Sequence, residues 1–574
     1  MTEQPDSTIP TPSLEDWQHW TLVMGRAQQM LMETWADGLT KSDALLAKPA
    51  AADPMALLTA GAEAWSKGLA AWGQMLGGIT KAGETKDRRF ASAEWNENPL
   101  FDTIRQSYLA ISDQLLGSVD KVEGLDEAAR GKLKFATKNF VDAMSPSNFA
   151  LTNPEVMKRT IETRGDNLLN GLHNMLSDIK AGQLTQTKPG AFEVGRNLAT
   201  TPGKVIYETR LFQLIHYAPT TPNVLAAPLV VFPPWINRFY ILDLTPEKSF
   251  VRWCVEQGVS LFMVSWKSAD ASLVDVMLDD YVAAQIEAVD VIRDQLGVPA
   301  VHTIGYCVAG TTLAATLALL AERGEADKVA SVTFFTAQVD FEKAGDLTLF
   351  LGDEVMGLLG KLTTETGTLD GRYMAATFNL LRGRDLIWNY VVNNYLLGQE
   401  PAPFDLLHWN SDTTKLPAGW HRDYLETMYR QNLLVKAGAI IVDGTPVDLK
   451  QIKTPAYIQA GREDHIAPPE SVWRLMDHLA GPKRFVLAGS GHIAGVVNPP
   501  AAGKYQYWTH DGEAQSLDDF VTGATEHKGS WWPDWIEWLR GLAPGTVAVD
   551  GARVPGAGKR KAIEDAPGRY VKSR

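Results

Sequence analysis

The sequence predicts an α/β fold, a mainly parallel sheet wrapped by helices, preceded by an all-α N-terminal domain. Three observations carry this. From about residue 197 onward, short apolar runs alternate with helical segments. The run Val298–Ile304 enters the small-residue turn Gly305-Tyr306-Cys307-Val308-Ala309-Gly310, and a helix rich in Ala and Leu follows. An acid and a histidine then appear after two later strands, in that order.

Each element follows from local pattern. Residues 1–13 are rich in Pro, Ser and Thr and are expected to be disordered. Residues 14–196 form the expected helical domain, with apolar residues at three-to-four spacing over Asp16–Leu39, Met55–Leu76, Asn98–Leu116 and Glu155–Ile179. Proline breaks at Ser145-Pro146-Ser147 and Thr152-Asn153-Pro154 separate helices. The catalytic domain is expected to fill 197–574. Its strands are predicted at Lys204–Leu211, Leu229–Phe232, Leu261–Trp266, Ala300–Ile304, Ser331–Thr336, Ala456–Ala460 and Arg484–Ala488. Helices are predicted at Phe250–Glu256, Ser272–Leu296 and Thr311–Arg323.

The alternation fails over about 337–436, a stretch rich in Trp, Tyr, Asn and Phe. An insertion this long inside a compact domain reads as a functional cap or lid. A last helix begins near Trp531-Trp532-Pro533-Asp534-Trp535, whose tryptophans are expected to pack on the sheet; the competing reading is an exposed hydrophobic contact. The tail, about 544–574, carries Gly, Ala and basic residues and is expected to be extended.

Composition narrows the function. A hydrophobic content of 45% and a charged content of 21% are those of a globular protein, and 574 residues predict more than one domain. A net charge of −14 argues against a nucleic-acid binder, which needs a basic face. The two cysteines, Cys254 and Cys307, exclude a disulfide framework and a cysteine zinc site, and the histidines lack metal-ligand spacing. Neither a signal peptide nor a stretch of roughly 18 apolar residues is visible, so the cytoplasm is the expected compartment.

Strand, tight turn and helix around Cys307 make a nucleophile elbow, the device that lifts a reactive atom above the sheet in the α/β-hydrolase fold. An inert buried thiol is the alternative, and the reading adopted for Cys254. A thiol nucleophile needs a base, and the base needs a partner. Asp464, in Gly461-Arg462-Glu463-Asp464-His465, follows one strand; His492, in Gly489-Ser490-Gly491-His492-Ile493-Ala494-Gly495, follows the next. Asp464 could instead cap the helix that Pro468, Pro469 and Glu470 announce. His465 competes with His492, but as Asp464's immediate neighbour its side chain should point elsewhere. The oxyanion hole is expected from the Val308 amide and one from the loop Pro233-Pro234-Trp235-Ile236-Asn237, where the prolines donate nothing, leaving Trp235, Ile236 or Asn237.

These segments together resemble the class I polyhydroxyalkanoate synthases. The resemblance rests on Pro233–Leu244, the Cys307 elbow, Trp388-Asn389-Tyr390, Pro403–Leu407, Arg462–Ile466, Ser490–Gly495, Gly529–Trp535 and Ala566–Lys572. It is strong from about Thr200 onward and weak before. One position departs: Ala309 stands where the family pattern places the first of two paired glycines. The resemblance implies polymerisation of (R)-3-hydroxyacyl-CoA, chiefly 3-hydroxybutyryl-CoA, into an intracellular polyester. Cys307 would carry the acyl chain, His492 activate the thiol, and Asp464 assist the substrate's 3-hydroxyl by proton abstraction. It further implies a homodimer at the polyester granule surface, contacts with granule-associated proteins, and no cofactor beyond the CoA thioester substrate. A cysteine-dependent hydrolase of esters or lactones and a non-catalytic granule-coating scaffold are the competing readings.

Overall fold

The computed structural model describes residues 87–573, apart from 126, 353–355, 358, 361–362 and 364–365. The helices expected over Asp16–Leu39 and Met55–Leu76, and the expected disorder of residues 1–13, lie outside the described residues. The chain divides into two units, Met1–Lys188 with Phe378–Ala402, and Pro189–Thr377 with Pro403–Arg574.

In the first unit, α1 (Pro99–Val119), α2 (Glu127–Ala143), α3 (Pro154–Glu162) and α4 (Asp166–Ala181) follow one another. The Asn98 side chain caps α1 and Asn153 caps α3, each with a proline at the first helical position. The helix predicted over Glu155–Ile179 is two helices, because Arg164 and Gly165 both take positive φ (53° and 91°). Phe90, Trp95, Phe101, Tyr108 and Val141 form this unit's core. The insertion segment Phe378–Ala402 docks here: Tyr395 donates to Asp178 Oδ2 (2.6 Å), and Asn167 Nδ2 donates to the Leu396 carbonyl (2.7 Å).

The second unit is built on one 11-stranded sheet. Its strands in chain order are β1 (Gly203–Glu208), β2 (Phe212–Tyr217), β3 (Leu229–Phe232), β4 (Leu261–Trp266), β5 (Val301–Tyr306), β6 (Val329–Phe335), β7 (Ala456–Gly461), β8 (Lys483–Ala488), β9 (Gln506–Thr509), β10 (Thr525–Lys528) and β11 (Glu564–Asp565). Across the sheet the order is β10-β9-β8-β7-β6-β5-β3-β4-β2-β1-β11. The six strands from β8 to β4 pair in parallel, and the remaining pairs are antiparallel. Apolar runs such as Leu229–Phe232 are buried on both faces, as a parallel sheet covered by helices requires. Val230 and Phe232 face one core with α6 (Leu278–Leu296) and α7 (Val308–Glu322). Leu229 and Val231 face the other, with α5 (Phe250–Glu256) and the last helix (Trp532–Leu542).

Residues 336–455, between β6 and β7, form an insertion with short helices and strands of its own. Trp531, Trp532 and Trp535 are wholly buried, so the packed reading of that motif holds and the exposed one does not. The tail is tied down: Thr546–Ala548 pairs with Asn223–Leu225, and the buried Arg238 guanidinium donates to the Val571 and Ser573 carbonyls while paired with Asp412.

Candidate active site

Cys307 follows β5 and opens α7 with φ 52° and ψ −126°, a strained conformation for a side-chain-bearing residue. The strain is locked by hydrogen bonds: the Cys307 amide donates to the Phe335 carbonyl (3.0 Å), and its own carbonyl accepts from the amides of Gly310 (2.8 Å) and Thr311 (3.1 Å). Strand and helix approach so closely that a Cβ on Gly305 would lie 2.6 Å from Gly310 Cα, and one on Gly310 2.5 Å from Ala337 Cβ. Ala309 is fully buried, and its carbonyl accepts from Gln285 Nε2 (3.1 Å), so the methyl at this position is accommodated.

Asp464 follows β7 and His492 follows β8, and the structure brings both to Cys307. His492 Nδ1 lies 2.7 Å from Asp464 Oδ2, and the ring lies within electrostatic reach of the Cys307 thiol. Burial pushes the imidazole pKa down, but the charges of Asp464 and Cys307 and the hydrogen bond to Asp464 outweigh it and hold it well above the ordinary histidine value. The other oxygen of Asp464 accepts from the amides of Ile466 and Ala467, both at 2.9 Å, and the carboxylate side chain is 0% exposed. Asp464 therefore holds the turn at Ile466 and Ala467 while pairing with His492; it does not cap the helix Pro469–Trp473, whose N-cap is Pro468 with no side-chain hydrogen bond. His492 meets this carboxylate.

Val308 is the first residue of α7, where amides have no intrahelical acceptor and the helix dipole favours negative charge. On the loop after β3, Thr414 Oγ1 donates to the carbonyls of Trp235 (2.8 Å) and Ile236 (2.7 Å). In planar trans peptides this turns the amides of Ile236 and Asn237 away from Thr414. The Trp235 ring stacks on Tyr281 with centroids 3.8 Å apart, which fixes the loop.

Sequence reasoning missed the aromatic cover. Tyr424 and Tyr429 both lie within electrostatic reach of Cys307. Phe341 packs against both, at 6.1 and 4.6 Å between centroids. Only the aromatic richness of the insertion signalled them. No metal-binding cluster of His, Cys, Asp or Glu occurs among the described residues, and none of their helices is long and apolar enough to cross a membrane.

Residues 86–254 match the family model described as the N-terminus of poly-beta-hydroxybutyrate polymerase (PhaC), and residues 264–499 match the alpha/beta hydrolase fold. The chain is 45% identical to the poly(3-hydroxyalkanoate) polymerase subunit PhaC of Rhizobium meliloti, over 86% of this chain and 80% of that one. It is 45% identical to the poly(3-hydroxyalkanoate) polymerase of Methylorubrum extorquens, over 85% and 80%. Against the PhaC subunit of Cupriavidus necator it is again 45% identical, over 88% and 86%. On that similarity the chain belongs to the poly(3-hydroxyalkanoate) polymerase family, a family of acyltransferases.

Proposed function

We propose that this chain is a class I enzyme that polymerises (R)-3-hydroxyacyl-CoA, chiefly 3-hydroxybutyryl-CoA, and releases CoA. It acts as a homodimer at the surface of a cytoplasmic polyester granule, with granule-associated proteins as partners. The observation that carries the reading is the strained Cys307 elbow with the hydrogen-bonded pair His492–Asp464, and Tyr424 and Tyr429, within its electrostatic reach.

The chemistry follows from these groups. His492 takes the thiol proton as Cys307 attacks the substrate carbonyl, and returns it to the departing CoA sulfur. One thioester replaces another, so this step is nearly neutral in energy and the acyl group stays activated. The amide of Val308 and that of Ile236 or Asn237 receive the developing oxyanion. In elongation a 3-hydroxyl, rather than water, attacks a thioester; the C–S bond breaks, and His492 takes the hydroxyl proton and passes it to the thiolate that leaves. Asp464, with both oxygens engaged, supports that transfer by fixing the imidazole rather than by meeting the hydroxyl itself. Conversion of thioester to oxygen ester drives growth, and the aromatic cover keeps competing water away.

Purified protein given 3-hydroxybutyryl-CoA is expected to release CoA and deposit insoluble polyester, with longer acyl chains used more slowly. Release of free hydroxy acid instead would identify the hydrolase. Turnover by Cys307→Ala would overturn the covalent mechanism.

A further inference from the structure

The reading above leaves the tryptophan motif of the last helix without a role beyond packing. The loop that carries His492 is a turn over residues 492–496, not a helix, and within it Gly495 N donates to Gly491 O (2.8 Å) while Val496 N and Val497 N donate to Ile493 O (3.0 and 2.8 Å). Three buried aromatic side chains supply donors to three of its carbonyls, one of which, Val496 O, also accepts from the Asn498 amide (3.1 Å). Tyr306, the residue before the nucleophile, donates its hydroxyl to His492 O (3.0 Å). The indole N–H of Trp531 donates to Gly495 O (2.7 Å), and that of Trp532 to Val496 O (2.9 Å). Both tryptophans are 0% exposed and Tyr306 is 1% exposed. Trp531 and Trp532 are held in turn by Phe335 and Phe250, at 5.2 and 5.1 Å between centroids. Phe335 is also the residue whose carbonyl receives the Cys307 amide. The nucleophile and its base are thus braced by one aromatic frame.

We propose that Trp531, Trp532 and Tyr306 are positioning residues for His492: their hydrogen bonds to the backbone of its loop set the imidazole against the Cys307 thiol. None of them needs to touch substrate. The inference rests on His492 being the base for Cys307, and it deepens that reading. Rigid aromatic donors suit the task, because small displacements of a general base cost large factors in rate.

Trp535 supplies the control. It lies on the same helix and is equally buried, yet its indole N–H donates to Thr333 Oγ1 (3.0 Å) in the sheet, not to the loop. Trp531→Phe, Trp532→Phe and the double variant keep an aromatic ring and lose the donor; Tyr306→Phe does the same for the third contact. The readouts are the melting temperature, kcat and KM for hydroxyacyl-CoA, and the rate at which iodoacetamide alkylates Cys307 at neutral pH. The expected result is unchanged KM, with kcat and alkylation rate reduced together by roughly tenfold in the double variant and by less in each single one. Trp535→Phe lowers the melting temperature without slowing either. If the tryptophan variants lose thermal stability but keep kcat and alkylation rate, as Trp535→Phe does, the residues only pack and the proposal fails. If the tryptophan variants do not fold, Tyr306→Phe decides: unchanged alkylation and kcat overturn it. Alkylation needs no substrate, so a wrong substrate assignment shows as slow turnover by the unaltered protein with normal thiol reactivity.

Discussion

Asp464 holds two groups at once. One oxygen caps the turn at Ile466 and Ala467, and the other holds His492 Nδ1. Sequence order alone made Asp464, His492 and Cys307 candidates, since each stands in the segment that follows a strand of the parallel core. What the order could not show is that both carboxylate oxygens are occupied, because backbone amides carry no sequence signature. An asparagine would keep the cap through its carbonyl oxygen, but its amide N–H would face Nδ1 and favour the wrong imidazole tautomer. Asp464→Asn is therefore expected to fold with a near-native melting temperature and to lose acylation and elongation together, by about 10³-fold. Rapid-quench measurement of acyl-enzyme formation checks this. Normal acylation with blocked elongation would return Asp464 to the direct proton-abstraction role.

At the scale of elements, the elbow was legible because its physics is local: an apolar strand, small residues and an Ala-rich helix. Its departure, Ala309, falls at a tolerant position, whereas the close approaches fall at Gly305 and Gly310. Gly310→Ala puts a methyl 2.5 Å from Ala337 Cβ and 2.8 Å from Gly305 O, so it is expected to cost about 2–3 kcal/mol and to abolish turnover by shifting the thiol. Ala309→Gly should keep kcat within about twofold and cost about 1 kcal/mol, the usual penalty of glycine in a helix. Denaturation and turnover measured on both variants test the pair; an inactive Ala309→Gly would contradict it. Other elements were illegible for equally physical reasons. β2 was not predicted, because Phe212–Tyr217 carries Gln213 and His216, polar residues that the sheet nonetheless buries. β10, Thr525-Glu526-His527-Lys528, is a short polar strand beyond β9 and lacks an apolar face to announce it. The predicted helix over Ser272–Leu296 begins at Leu278, where Asp280 Oδ2 accepts from the Met277 amide (2.9 Å).

For the molecule as a whole, the two-part plan of helices followed by an α/β sheet was readable. The assignment of Phe378–Ala402 to the helical unit was not, because pairs such as Asp178 with Tyr395 lie 217 residues apart and follow no periodicity. The catalytic unit also carries a pH dependence that only the fold reveals. Burial pushes His216 down to about 3, and His302 and His421 down to about 4 each. His216 has no hydrogen-bond partner at either ring nitrogen among the described residues and stacks on Phe262 at 4.2 Å. These folded values lie below the ordinary histidine value near 6.5 that the unfolded chain adopts. As pH falls below about 6.5, the unfolded chain binds three protons that the native state refuses, so stability falls with pH. Each histidine contributes at most about 1.4 kcal/mol per pH unit, or roughly 6 kcal/mol for the three at pH 5. His492 acts in the opposite sense: held above its unfolded value, it adds stability that is lost as pH rises through its folded pKa. Urea unfolding of this unit followed by tryptophan fluorescence should show a midpoint that drops steeply between pH 7 and pH 5. His216→Leu, which removes an unpartnered buried imidazole, should raise the midpoint at pH 5 and reduce the slope by about a third. A slope unchanged by that substitution would mean that His216 is protonated in the folded state.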